Sequence, residues 1–508
     1  MPERTETAET TETIERFTAS QTRFAELVDF AAGQPAAGLD HAALEEQLTS
    51  RGRELLRQLY QDHLDLRAQR ERRLAEVADS AGLTHRIVEA GHERALATVF
   101  GEVRVRRLAY RAHRRPNLHP ADAALNLPGE KHSHGLRRLA ATEAARGAFD
   151  EARAALTRTT GTSTGKRQVE ALTVRAAADF AAFYATCRRP ASAEEAELLV
   201  LQVDGKGIVM RPEALRPATA KAAGRASPKL SGRLSKGEKR YRKRIAEVGA
   251  VHDATPVARA VADILPATDA ERAAATDGPR ATGKWLTASV VEDAASVIAA
   301  VFDEATRRDP HQARTWVALV DGANHQIERI TAEAEARAVT VHILIDFVHV
   351  MEYLWKAAWC FHTEGDPAAQ TWVHAKARDI LTGKARTVAA TIRRTASTRG
   401  LSTTARKGAD DAARYLTNKA PYLDYPTALA GGWPIATGVI EGACRHLVAD
   451  RLDITGARWG LHGAEAILQL RALRSNGDFE DYWRFHQQQE HQRIHTSRYA
   501  HGAIPQAA

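Results

Sequence analysis

The chain has 508 residues, 44% of them hydrophobic and 26% charged, with a formal net charge of +8. That is too long for one compact core, and about three domains are expected. No apolar run approaches the roughly 18 residues a membrane span needs, and the start, MPERTETAETTETIERF, lacks the basic and apolar segments of a signal peptide. A cytoplasmic protein with no membrane partner is therefore expected. Cys187, Cys360 and Cys444 lie far apart with no CxxC pair, which excludes a disulfide framework and a zinc ribbon.

Residues 1–15 alternate Glu and Thr with almost nothing to bury, and a disordered tail is expected there. Residues 16–95 read as a helical region. Between Asp40 and Ala81, Leu44, Leu48, Leu55, Leu59 and Leu66 recur at helical spacing, on a helix that either packs on its own domain or pairs with a second copy.

Residues 96–190 read as a hairpin followed by a helix-turn-helix. Val99, Val103, Val105 and Leu108 alternate with polar residues, and Arg104, Arg106, Arg107 and Arg111 are either phosphate contacts or solvated strand charges. Further on, a helical pattern breaks at Thr159–Gly165 and restarts with Lys166, Arg167 and Gln168, the position from which a second helix meets a DNA groove.

Residues 195–345 read as the first part of an α/β core. ELLVLQVDGKGIVM (Glu197 to Met210) is a buried strand that delivers Asp204 to a sheet edge, and TWVALVDGANHQ (Thr315 to Gln326) delivers Asp321 in the same way. Between them, residues 211–244 form a basic insert with Lys236, Lys239, Arg240, Arg242 and Lys243, a density of one sign that a phosphate backbone would order. Strand-like sequence resumes at Arg244, an amphipathic helix is expected over Leu286–Glu304 and another over His325–Ala336, and VTVHILI (Val339 to Ile345) is a further buried strand. The expected order is strand, strand, strand, helix, strand, helix, strand. In an RNase H-like mixed sheet that order makes the two aspartate strands neighbours.

Residues 346–432 read as a helical insertion, with Trp355, Trp359, Phe361 and Trp372 as its core, and 433–485 as the C-terminal helices of the core, followed by a tail over 486–508. A helix beginning near Gly438 carries Glu441, the candidate third acid. Three carboxylates around two Mg²⁺ ions, with Mn²⁺ as a possible substitute, activate an attacking oxygen and stabilise the leaving oxygen of a phosphodiester. Arg445, Arg451 and Arg458 extend a basic stripe from Glu441 suited to a DNA backbone. Asp346 and His349 lie one helical turn apart, which reads as a capping Asp with a core His; no further ligands are spaced for zinc.

Over about residues 95–485 the chain resembles insertion-sequence transposases of the ISKra type, DDE enzymes with an RNase H-like catalytic domain. The resemblance rests on NLPGEKHSHGLRRLAATEAARG (Asn126 to Gly147), TGKRQVEAL (Thr164 to Leu172), VDGKG, GEKRYRKRIAEVGAVHDATP, LVDGANHQ, DFVHVMEYLWKAA and GVIEGACRHLVADRLDITGARW. It implies Asp204, Asp321 and Glu441 as catalytic and metal-holding acids, and Asp346/His349 resembles the [C/D]xxH motif of Mutator-like enzymes. It also implies DNA partners (terminal inverted repeats and target DNA), an assembly of at least two copies, and a bacterial, nucleoid-associated location. Many DDE enzymes carry Lys or Arg seven residues after the Glu; here that place is Val448, so Arg445 or Arg451 would substitute. The alternatives are a domesticated DNA-binding regulator and a structure-selective nuclease of the same fold.

Overall fold

The computed structural model describes residues 17–186, 197–225, 230, 232–233, 235 and 241–506. The expected tail over 1–15 lies outside the described residues, as do Lys236, Lys239 and Arg240 of the basic insert. The chain divides into two compact units, residues 1–186 with 478–508, and residues 187–477. Among the described residues no helix is long and apolar enough to cross a membrane.

The first unit opens with α1 (Thr18–Ala32) and α2 (His41–Arg70). Asp40 caps α2 by accepting the Ala43 N–H at 2.8 Å. The expected helix to Ala81 stops at Arg70, and Val77–Ala78 form a short strand instead. An antiparallel hairpin follows, β1 (Ile87–Thr98) and β2 (Gly101–Arg111), with Leu96, Val103 and Val105 packed against Leu64 of α2. Its first strand starts nine residues before the expected hairpin region, because Ile87–Arg94 buries no residue and lacks the apolar alternation that marks a strand in sequence.

Three helices come next, α3 (His134–Arg146), α4 (Phe149–Thr160) and α5 (Lys166–Ala176). Gly161 closes α4 in the left-handed conformation (φ +69°), which a side chain rarely adopts. A short helix, α6 (Phe180–Thr186), ends this part of the unit.

The second unit is a mixed α/β structure around one five-stranded sheet. Its strands are β3 (Leu198–Val209), β4 (Lys243–Ala254), β5 (Ala281–Ser289), β6 (Thr315–Val320) and β7 (Val341–Ile345), in spatial order β5-β4-β3-β6-β7. β3 pairs antiparallel with β4, which pairs antiparallel with β5; β3 pairs parallel with β6, and β6 with β7. The first and fourth strands are therefore adjacent, as expected. β5 takes Leu286–Ser289 from the start of the expected helix, and α7 runs from Ala294 to Arg308, capped by Asp293. Trp285, Leu286 and Thr287 are all buried, because this edge of the sheet is covered by α14 (introduced below), so strand and helix read alike there.

α7 and α8 (Asn324–Ala336) follow the same strands they are predicted to follow. α7 lies so close to the sheet that a Cβ on Gly249 would stand 2.5 Å from Val301, so only glycine fits at that position. The helical segment after β7 comprises α9 (Phe347–Ala358), α10 (Pro367–Leu381), α11 (Ala385–Thr398) and α12 (Lys407–Asn418), joined through Val350, Leu354, Val373, Ile392 and Leu416. Phe361 is in that core, edge-on to Trp372. Trp359 is not: it is 44% exposed and stacked on Trp355, because α9 turns this edge to solvent.

α13 (Gly438–Ala443) continues into a π-helical turn, Cys444–Ala449, and α14 (Leu461–Ser475) closes the unit. The expected boundary at 485 and the tail from 486 are replaced by one helix, α15 (Phe479–Ile494), which belongs to the first unit. A buried ionic network holds it there. Arg137 of α3 pairs with Glu490 at 2.7 Å, while His486 contacts Arg137 at 3.0 Å and Asp179 at 2.6 Å.

Candidate functional site

The run LLVLQV makes β3 a central strand buried on both faces up to Val203, after which the chain emerges at Asp204. Register sets the geometry of the site. Gln202 and Leu319 are the last paired residues of β3 and β6, and Asp204 and Asp321 each lie two residues beyond them. Asp321 follows the end of β6, whereas Asp204, expected at a strand end, lies inside β3, which runs on to Val209 paired with β4. Both carboxylates are half-buried. Val320 pairs with Ile345 on β7, so Asp346 extends the same row by one strand.

Asp204 Oδ1 accepts the Gly205 N–H at 2.6 Å, and Oδ2 accepts the Cys444 thiol at 3.4 Å. Burial, then the Asp204 charge and hydrogen bond, push the Cys444 thiol well above its ordinary pKa, so it stays protonated and acts as a donor. Asp321 Oδ1 accepts the Ala323 N–H at 2.8 Å. Gly322 has φ +93°, and the Tyr415 hydroxyl, which donates to the Asp321 carbonyl at 3.2 Å, would lie 2.8 Å from any Cβ there. The glycine of this Asp-Gly pair is thus required by both backbone and space.

Glu441 is exposed on α13, three residues before Cys444. Three hydrogen bonds tie the first turn of its helix to Gln202 of β3 and to Asp346 after β7. The Ile440 N–H donates to Gln202 Oε1 at 2.9 Å, and Thr437 donates both its N–H, at 3.3 Å, and its hydroxyl to Asp346 Oδ2. From Cys444 the helix continues as a π turn. Arg471 of α14 donates to the carbonyls of His446 and Leu447, at 2.9 and 3.1 Å from its Nε.

The oxygen donors of Asp204, Asp321 and Glu441 are of the hard type that magnesium takes. Among the described residues, however, no three His, Cys, Asp or Glu side chains are gathered into a closed metal-binding cluster. The two aspartates share a register and Glu441 sits on the adjoining helix, but the three do not converge on one point. Asp346 is fully buried and committed elsewhere, Oδ1 to the Val348 N–H at 2.8 Å and Oδ2 to Thr437. His349 faces Glu352 at 3.8 Å.

The basic residues divide. Arg445 is exposed, 3.8 Å from Asp450, and Arg458 is exposed over the Tyr241 ring. Arg451 is only 3% exposed and lies against Trp459, which takes it off the surface stripe. Lys243 pairs with Asp453 at 2.8 Å, and Arg242 is half-buried. In the first unit, Lys166, Arg167 and Gln168 are exposed at the start of α5; Lys166 pairs with Asp150, and Gln168 Oε1 caps the helix by accepting the Gly165 N–H at 2.9 Å. The hairpin arginines are all paired: Arg104 and Arg106 with Glu93, Arg111 with Glu89 and Arg107 with Asp122.

Gln202, Thr437 and Cys444 were not among the residues expected at the site. Gln202 left a trace in the sequence as the lone polar residue in an apolar run, and Thr437 as a hydroxyl four residues before Glu441. Cys444 left none.

No family model matches the chain, and no curated protein matches it in sequence. Among solved structures, the Drosophila P element transposase strand transfer complex aligns over 72% of this chain and 82% of that one, at 9% identity and a TM-score of 0.23. A similarity at that level carries no structural argument.

Proposed function

We propose that the protein is a DNA transposase of the insertion-sequence ISKra type, with an RNase H-like catalytic core. The observation that carries the reading is that Asp204 and Asp321 each lie two residues beyond the last paired position, Gln202 and Leu319, of two adjacent parallel strands, with the helix of Glu441 tied to Gln202. The sheet order, three antiparallel strands continued by two parallel ones with the aspartates on the first and fourth in sequence, supports the RNase H-like assignment.

On this reading Asp204, Asp321 and Glu441 hold Mg²⁺, with Mn²⁺ as a substitute, which when bound supplies activation of an attacking oxygen and charge neutralisation at the leaving oxygen. The residues of the chain keep the acids ready for that work. The Gly205 and Ala323 N–H groups each hold one oxygen of an aspartate, and Cys444 donates to Asp204 without competing for its charge. Arg445 and Arg458, both exposed on the segment after Glu441, contact the DNA backbone, while Lys166 and Arg167 at the start of α5 contact the terminal repeats. Because two DNA ends must be cut and joined together, the working form contains at least two copies.

The test is an in vitro strand-transfer assay with Mg²⁺ and the DNA ends flanking the gene, comparing wild type with D204N, D321N and E441Q. Cleavage and joining by wild type, with binding alone by each variant, supports the reading. Cleavage without joining assigns a nuclease, and binding alone by wild type assigns a regulator.

A further inference from the structure

Asp346 and Thr437 form a buried pair that neither the metal-holding acids nor the DNA contacts account for. Asp346 is completely enclosed and Thr437 is 5% exposed. Thr437 stands at the N-terminal boundary of α13 but does not cap it; its hydroxyl turns away from the helix to Asp346, and its N–H goes to the same oxygen at 3.3 Å. The other Asp346 oxygen caps α9 at 2.8 Å. One buried carboxylate therefore ties together the end of β7, the start of α9 and the start of α13.

The same hydroxyl oxygen lies 3.5 Å from Glu441 Oε1. A hydroxyl has one hydrogen. Asp346 is the nearer acceptor and takes it, so the approach to Glu441 is oxygen to oxygen. Glu441 thus gains a fixed backbone from this arrangement, and its carboxylate is left without the Thr437 donor. On the other side of the turn Gln202, two residues before Asp204, holds the Ile440 N–H. The two ties reach α13 from two different strands, β3 and the end of β7, and Glu441 follows both by one and four residues.

Resting on the reading of Glu441 as a metal-holding acid, we infer that Asp346 and Thr437, together with Gln202, are positioning residues that pin the first turn of α13 and set Glu441 beside the Asp204/Asp321 row. Asp346 itself is not a ligand, since both its oxygens are occupied inside the protein. The pair acts on metal through Glu441, as outer partners of ligands do elsewhere, where their removal costs roughly 10–100-fold in metal affinity.

The experiment titrates Mn²⁺ alone into the full-length protein, followed by electron paramagnetic resonance, for wild type, T437V, T437S, D346N and E441Q. Amide hydrogen exchange over residues 435–447 is measured on the same samples. The expected result is a roughly tenfold weaker Mn²⁺ site in T437V, near wild-type binding in T437S, which keeps the hydroxyl, and faster exchange at Thr437–Glu441 in T437V and D346N. T437V that binds Mn²⁺ and protects these amides as wild type does overturns the inference. Should D346N fail to fold, the contrast between T437V and T437S decides alone. If wild type and E441Q bind Mn²⁺ equally or not at all, the metal role of Glu441 fails, and with it the positioning role for metal; unchanged exchange in T437V would then remove the pin as well.

Discussion

Asp204, inside β3, and Asp321, one residue past the end of β6, each lie two residues beyond Gln202 and Leu319, the last paired residues of these parallel strands. Replacing either carboxylate by its amide, D204N or D321N, keeps the shape and removes the charge. If the protein is the transposase proposed above, metal-dependent cleavage is expected to fall by on the order of 100-fold or more, with DNA affinity unchanged, as read from product formation and gel-shift binding on the same preparations. Activity within a few-fold of wild type would remove the two residues from the catalytic role.

The start of α5 separates two roles that look alike in sequence. Arg167 is exposed on the first turn, and if α5 contacts DNA as proposed, R167A is expected to weaken that binding uniformly and lower its salt dependence by about one contact. Gln168 spends its side-chain oxygen on the Gly165 N–H, so Q168A is expected to cost about 1 kcal/mol of stability in denaturant unfolding and little affinity. The opposite pattern would assign Gln168 to DNA.

Asp179 lies in a buried network, where burial alone would raise its pKa, but hydrogen bonds from His486 and Arg493 outweigh burial and hold it at about 2. A depressed carboxylate stabilises the fold above its unfolded pKa, about 3.9, and loses that contribution as pH falls through its folded value. The stability advantage of wild type over D179N is therefore expected to be constant at neutral pH, on the order of 3 kcal/mol, and to vanish between about pH 4 and pH 2. Urea titrations at pH 7, 4 and 3 read this directly. An advantage already lost at pH 5 would contradict the depressed value.

Arg471 donates to the carbonyls of His446 and Leu447 in the π turn. R471M keeps most of the apolar stem and removes the donors, at an expected cost of about 1–3 kcal/mol. Thermal unfolding measures the loss, and amide exchange over 441–450 is expected to rise with it. No change in either would mean that solvent serves those carbonyls equally well.

Cys444 is buried with a raised pKa, whereas Cys360 is partly exposed. The thiolate is the reactive form, so at pH 7.5 iodoacetamide is expected to modify Cys360 at least about tenfold faster than Cys444, as read by peptide mass spectrometry. Equal rates would place Cys444 in a different environment.

Much of the sheet was legible in the chain itself, because a buried strand and an amphipathic helix each write their own period into the residues. LLVLQV before Asp204, TWVALV before Asp321 and VHILI before Asp346 announce β3, β6 and β7; the Asp-Gly pair at Asp321 marks the end of β6, whereas β3 runs past Asp204 to Val209 because it stays paired with β4. The same local signals mark residues 346–432 as helical and place the start of α13 near Gly438, while the division of 347–418 into four helices came from the structure. What the sequence by itself determined, then, is the order of the strands and helices that follow Glu197, apart from β5, and the acids that close or interrupt them.

Tertiary structure decided the rest, through contacts between residues far apart in the chain. Strand register made Asp204 and Asp321 neighbours, and the covered sheet edge turned Leu286–Ser289 from expected helix to strand. Packing of α15 through His486 and Glu490 made part of the first unit out of an expected tail. Thr437, Gln202 and Cys444 acquired roles only because Asp346, Ile440 and Asp204 lie beside them in space, 91, 238 and 240 residues away in sequence. A hydrogen bond over such a separation leaves no periodic trace, since it depends on where two backbones meet and not on what surrounds either residue along the chain.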